Sequence, residues 1–374
     1  MIEALEGIGD FTVGLILPFL FVLTLVVFFH ELGHFIVARW CGVTVRTFSI
    51  GFGPELFGFT DRKGTRWRVS AIPLGGYVRF LGDENAASAA GREAVARMEP
   101  AQRALTFLGK PVAQRAAIVA AGPLANFALA IVIFTALFAL AGREITPARV
   151  DSVVPDGPAA AAGFEPGDMI TAIDGTRIEA FSDLQRIVGL NAGTELAVTV
   201  ARDGAELTLL VTPRSEVAED RFGNTFRHGL IGIVHEGSPE EVTLQRFSLP
   251  EAFARGVGET WFMIAATFDY VGRVFTGRES IDQLGGPITV ARVAEEAASI
   301  GFSTLLSIAA LISISIGLIN LMPVPLLDGG HLLYFAFEAV RGKPLSDRVQ
   351  EVGFRVGLVL ILMLVVVAFV NDFT

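Results

Sequence analysis

Four stretches of this 374-residue chain are apolar for about the length a helix needs to cross a bilayer, roughly 20 residues. They run from about Val13 to Ile36, from Ala116 to Ala141 ("AAIVAAGPLANFALAIVIFTALFALA"), within residues 301–327 ("GFSTLLSIAALISISIGLINLMPVPLL") and over residues 356–370 ("VGLVLILMLVVVAFV"). The pattern predicts a polytopic α-helical membrane protein with four transmembrane helices, in segments 1–42, 116–141, 301–340 and 352–374. Glu3, Glu6 and Asp10 flank the first span where a cleaved leader would be basic, so the span is expected to stay in the protein.

Between the spans the period changes. Residues 43–82 carry β-branched and aromatic residues in short alternating runs around the turn "TDRKGT", which predicts membrane-associated β-hairpins within segment 43–115. The Ala-rich, polar stretch "DENAASAAGREAVARMEPAQR", residues 83–103, reads as a loosely ordered connector. Segment 147–235 alternates short strands with turns and reads as a separate small domain. In segment 250–300, Phe253, Val257, Trp261, Ile264, Phe268, Val271 and Phe275 recur at helical spacing, interrupted by Arg255, Glu259, Asp269 and Arg273. That predicts an amphipathic helical linker on the membrane surface or packed beneath the small domain, rather than a fifth span.

Composition agrees with a bilayer as solvent, since 52% of residues are hydrophobic and only 18% charged. A net charge of −10 argues against nucleic-acid binding. Arg39, Arg46, Arg62, Lys63, Arg66, Arg68, Arg79 and further cations lie between the first two spans, and Arg341, Lys343 and Arg348 precede the fourth. By the positive-inside rule those loops are cytoplasmic. The acidic segment 147–235 and both termini then face outward. Cys41 is the only cysteine, so no intramolecular disulfide staples the outer domain.

Against this apolar background "HELGH", residues 30–34, stands out, because ionisable groups at membrane depth persist only when paired, bound or facing a cavity. On a helix, His30 and His34 lie one turn apart on one face and can converge on one Zn2+, with Glu31 beside them as general base. A catalytic zinc takes three protein ligands and keeps one position open. Asp328, after the proline-broken run "NLMPVPLLDGGH", is the candidate third ligand. The alternative is that Asp328 merely caps the helix that follows it. Cys41, seven residues after His34, is a conceivable substitute ligand, although a thiol near a helix end is more often packed. His331 is left out, since a fourth protein ligand would close the site. Asn320 is a candidate substrate-binding residue, holding substrate backbone or a developing oxyanion. It would equally satisfy carbonyls orphaned at the proline break. His228 and His235 read as ordinary surface histidines.

Segment 147–235 resembles a PDZ domain, with Gly163, Gly167, Asp168 and Gly175 at turns, "FSDLQRIV" as a helix and "RDGA" joining the last strands. "GLIGIV", residues 229–234, resembles the strand by which such domains take a peptide carboxylate. Taken with "HELGH", "GPLANF" and "NLMPVPLLDGG", the chain resembles the site-2 protease family of intramembrane zinc metalloproteases, in its bacterial RseP-type branch. His30, Glu31 and His34 match the HExxH motif, and Asn320, Pro323, Pro325, Asp328 and Gly329 match NxxPxPxLDG. The resemblance implies cleavage, in the bacterial inner membrane, of a transmembrane segment of a single-pass protein such as an anti-sigma factor trimmed beforehand. It also implies a site toward the cytoplasm and an extracytoplasmic PDZ-like domain. RseP-type proteins carry two PDZ domains in tandem, whereas this chain has room for one. The rival readings are a membrane metal transporter, which needs ligands along a continuous path while no other charged residue lies inside the spans, and a non-catalytic PDZ scaffold, which has no use for Glu31.

Overall fold

A computed structural model describes residues 2–83, 95, 97–219, 225–236, 241–276 and 285–373. Most of the connector 83–103 therefore lies outside the described residues. The chain forms two compact units, residues 1–137 with 249–374, and residues 138–248.

In the first unit, the long helix α1 (Ile2–Trp40) carries "HELGH" near its C-terminal end. Strands β1 (Val45–Thr60) and β2 (Arg66–Phe80) follow, and then helix α2 (Val112–Ala136), which ends in a π-helical turn over Leu137–Ala141. Candidate membrane spans, by length and apolarity, are Gly14–Trp40, Val112–Ala141, Phe302–Leu321 and Arg348–Asn371.

Strands β1 and β2 make more than a simple hairpin. Phe48 is paired with both Val78 and Trp67, while Gly58 pairs with Arg68. The ladder thus runs 76–80, 45–50, 66–70, 55–60, because each strand bends midway. Gly51, Gly53 and Gly75 at positive φ supply the bends. The sheet is pinned to α1 by an aromatic cluster in which the Phe48 ring lies 5.7, 5.5 and 4.3 Å from those of Phe28, Phe35 and Trp67. Its far portion leaves Leu56, Phe57 and Phe59 exposed, as suits a sheet beside lipid.

Helices α4 (Leu249–Phe275) and α5 (Pro287–Ile300) occupy the predicted amphipathic linker, each end of which lies within this unit, while helix α3 (Phe181–Leu190) belongs to the second. Helix α4 packs on α2 through its small residues: Ala252 and Thr260 are buried, and a side chain at Gly256 would press on Ile131 and Thr135. Its large residues Phe253, Trp261 and Phe268 are exposed, so the helix meets protein with its small side chains and leaves its large apolar ones uncovered among the described residues. The segment 301–340 differs from one continuous helix: α6 (Phe302–Leu321) stops before Pro323 and Pro325, and α7 (Asp328–Arg341) begins anew. Proline removes backbone donors and pushes its predecessor out of the helical region, so the run cannot continue. Helix α8 (Asp347–Asn371) completes the unit.

The second unit is built on a four-stranded antiparallel sheet, β6 (Thr176–Arg177), β5 (Met169–Ile173), β7 (Leu196–Arg202) and β8 (Ala205–Val211), in that order. Leu196, Val198 and Val200 alternate inward along β7 and meet Ile170, Ile173 and, from helix α3 (Phe181–Leu190), Leu184. Asp203 and Gly204, both at positive φ, form the two-residue turn between β7 and β8. Asp168 is buried and held by Arg202 through two hydrogen bonds, of 2.7 and 2.8 Å. Around this sheet β4 (Ser152–Val153) pairs with β11 (Ile233–Val234), and β9 (Arg214–Glu219) with β10 (Thr225–Leu230). Strands β3 (Arg143–Ile145) and β12 (Thr243–Gln245) pair where the chain enters and leaves. The reading of His235 as a surface residue is corrected here: its side chain is 4% exposed, within 2.8 Å of Asp151 and against the Phe181 ring.

Candidate metal centre

Helical spacing puts His30 and His34 on the same face of α1, and α2 crosses that face at close range. The approach depends on two residues without side chains. A Cβ at Gly33 would overlap the backbone of Ala121, and one at Gly122 would overlap the rings of His34 and His30. The third group arrives from the break between α6 and α7. There Leu326, a non-glycine residue at φ 114°, marks local strain. Gly329 packs so tightly on the backbone of Leu321 and Met322 that any side chain would clash.

Asp328 is the first residue of α7, after the N-cap residue Leu327, and no side-chain hydrogen bond caps the helix. The capping role is therefore unfilled. Instead its Oδ2 lies 3.3 Å from His30 Nε2 and 3.5 Å from His34 Nε2, while the two Nε2 atoms are 3.2 Å apart. Tetrahedral zinc with donors at about 2.0–2.1 Å would space them about 3.3 Å from one another. The triangle matches one face of such a tetrahedron, and its donors, two imidazoles and a carboxylate, are those of catalytic zinc sites. His34 Nδ1 donates to the Ile118 carbonyl at 2.8 Å. A carbonyl only accepts, so the proton sits on Nδ1 and Nε2 presents its lone pair to the centre.

Glu31 sits beside the triangle, its carboxylate accepting a hydrogen bond from the backbone N–H of Val78. Segment 76–80 thus runs alongside the centre; a side chain at Gly76 would press on Glu31 and Val27. Asn320 is half-buried in the last turn of α6. Among the described residues the clustered donors are His30, His34 and Asp328, and Cys41 instead packs against the Phe48 cluster beyond the end of α1. His331 lies in the first turn of α7, edge-on to Tyr334 at 6.4 Å. Sequence reasoning passed over Gly122 and Asn126. Asn126 is fully buried, with its amide 3.3 Å from His30 Nδ1. The signal was there in "GPLAN", which sets a glycine and a polar amide one turn apart in an otherwise apolar helix.

Two histidines and a carboxylate gathered among apolar helices define a class, the membrane metalloproteases. The profile of Peptidase family M50 matches residues 18–364, and the chain belongs to that family, the site-2 proteases. It is 50% identical over 362 residues to a protein of Agrobacterium fabrum provisionally named a zinc metalloprotease, covering 97% of this chain and 96% of that one. A similarly named protein of Rhizobium meliloti is 46% identical over 354 residues, 95% of each chain. Metalloprotease MmpA of Caulobacter vibrioides is 41% identical over 381 residues, covering 96% of this chain and 95% of its own. The protein is a zinc-dependent, multi-pass membrane metalloprotease.

Proposed function

We propose that His30, His34 and Asp328 hold the zinc, that Glu31 is the general base, and that the reaction is cleavage of transmembrane segments of single-pass membrane proteins. The observation that carries this reading is the triangle of donor atoms, with sides of 3.2, 3.3 and 3.5 Å, directly beside a carboxylate. Zinc in such a site polarises a carbonyl and makes water nucleophilic near neutral pH. Glu31 takes the proton of the attacking water and delivers it to the leaving amine. A transmembrane helix hides its carbonyls in its own hydrogen bonds, so the substrate must be locally extended first. Segment 76–80 is suited to that task. Among the described residues its ladder partner is segment 45–50 on one side, while the Val78 N–H is turned toward Glu31. An extended substrate pairing along this side would bring its backbone to the centre. Asn320 is assigned either to substrate backbone or to the carbonyls of the break.

The charge distribution supports a site toward the cytoplasm of a bacterial inner membrane, with residues 147–235 as a PDZ-like domain outside. Regulated cleavage of an anti-sigma-factor-type protein after prior trimming is the physiological role we favour. Metal analysis and peptide cleavage test the centre together. His30→Ala, His34→Ala and Asp328→Ala should each lose bound zinc, whereas Glu31→Gln should keep it and lose turnover by at least about 10²-fold. Full zinc content in Asp328→Ala would overturn the ligand set. A metal transporter would tolerate Glu31→Gln, and a scaffold would hold no zinc at all.

A further inference from the structure

The two histidines of the centre are not equally secured. His34 has its proton fixed on Nδ1 by the Ile118 carbonyl. His30 instead faces Asn126, a wholly buried side chain whose own backbone carbonyl is anchored by Ser313 of α6 at 2.9 Å. As placed, the Asn126 Nδ2 group points at His30 Nδ1 from 3.3 Å, and Oδ1 is buried with no hydrogen-bond partner among the described residues. An amide nitrogen only donates. That pose therefore needs a lone pair on Nδ1 and sends the His30 proton to Nε2, the atom facing His34 and Asp328. A protonated Nε2 cannot bind a metal.

Turning the amide by half a rotation exchanges oxygen and nitrogen without moving the side chain, and the choice between the two poses belongs to the hydrogen-bond network. We infer that Asn126 is a positioning residue whose side-chain oxygen accepts the Nδ1–H of His30 and so keeps Nε2 bare and aimed into the centre. The turned amide gives Oδ1 a partner in the Nδ1–H of His30 and carries Nδ2 to the position that Oδ1 now holds. Both imidazoles are then oriented from α2, His34 by the carbonyl of Ile118 and His30 by the side chain of Asn126, two turns further along. Ligand histidines commonly donate their second nitrogen in this way, and loss of the acceptor weakens metal binding about 10- to 100-fold.

The inference rests on His30 being a ligand, and the experiment separates the two ideas. Zinc affinity is measured by chelator competition on the purified full chain in detergent, for the parent, Asn126→Leu, Asn126→Asp and His30→Ala. Asn126→Leu keeps the volume but removes the acceptor and should bind zinc about 10- to 100-fold more weakly, with the metal-free protein unfolding at an unchanged temperature. Asn126→Asp offers an acceptor oxygen in either orientation and should stay within about threefold of the parent. Parent-like affinity in a folded Asn126→Leu would overturn the inference. So would an Asn126→Asp as weak as Asn126→Leu, since donation rather than acceptance would then be what His30 needs. If Asn126→Leu fails to fold, Asn126→Asp is compared with the parent alone, and a loss of about tenfold or more in its zinc affinity overturns the inference. Parent-like affinity in His30→Ala would instead defeat the ligand assignment beneath it.

Discussion

A bare Cα at position 122 is what lets α2 lie against both imidazoles. Replacing Gly122 with Ala puts a methyl group where the His34 and His30 rings now sit, and either the rings or the helix must move. Overpacking of this kind costs about 1–3 kcal/mol. The expected outcome for Gly122→Ala is a protein that still inserts and folds but loses zinc occupancy and proteolysis together by at least about tenfold, read by metal analysis beside a cleavage assay. The legibility of the centre divides along the same line. His30, Glu31 and His34 could be read because helical spacing is local, and Asp328 because prolines at membrane depth announce a break. Gly122 and Asn126 stand out in "GPLAN" as a glycine and an amide in an apolar helix, but what they do there arises only where two helices cross, and the local sequence does not record that meeting. His235 was misread for a related reason: its partners Asp151 and Phe181 lie far away in the chain.

Among elements, the spans were legible from composition alone, because lipid demands long apolar helices and little else produces them. The sheet of residues 45–80 was legible as strands but not as a four-segment ladder, for which the bends must be known. Its tip is organised by Asp61. Oδ1 accepts the N–H groups of Lys63 and Thr65 at 2.9 and 3.1 Å, and Oδ2 accepts Arg39 at 2.5 Å and Trp67 at 3.1 Å. Partial burial works against the charge, but these donors outweigh it and hold the Asp61 carboxyl down at about 2, from an ordinary 3.8. A depressed value in the folded state means stability that is present above about pH 4 and lost as pH falls toward 2. Asp61→Ala should therefore be less stable than the parent by about 1–3 kcal/mol at pH 7, and the gap should narrow on acidification over that window. Denaturation followed by Trp67 fluorescence, with Trp40 and Trp261 replaced by Phe, would measure it. A gap independent of pH would mean that the carboxylate charge contributes nothing.

At the scale of the whole chain, residues 138–248 are an insertion whose two ends are zipped together. β3 pairs with β12, and the Phe138 carbonyl accepts the Phe247 N–H while their rings meet at 6.1 Å. Removing residues 147–235 leaves both strands of that zip, so a short linker can close the gap. If this domain screens substrates by the bulk they carry, the shortened enzyme should cut untrimmed as well as trimmed versions of one substrate. If it docks them, neither should be cut. Reconstitution with both versions decides between these, and unchanged discrimination would defeat the screening role. The centre itself is divided along the chain in another way. Two of its donors lie in the first helix, and the third waits beyond the break between α6 and α7. If Asp328 is the third ligand, the pair of histidines made early in synthesis stays incomplete while the insertion and two further candidate spans, α2 and α6, are made. On that assignment a chain halted before α7 lacks its third donor, and proteolysis waits until nearly the last helix has been made.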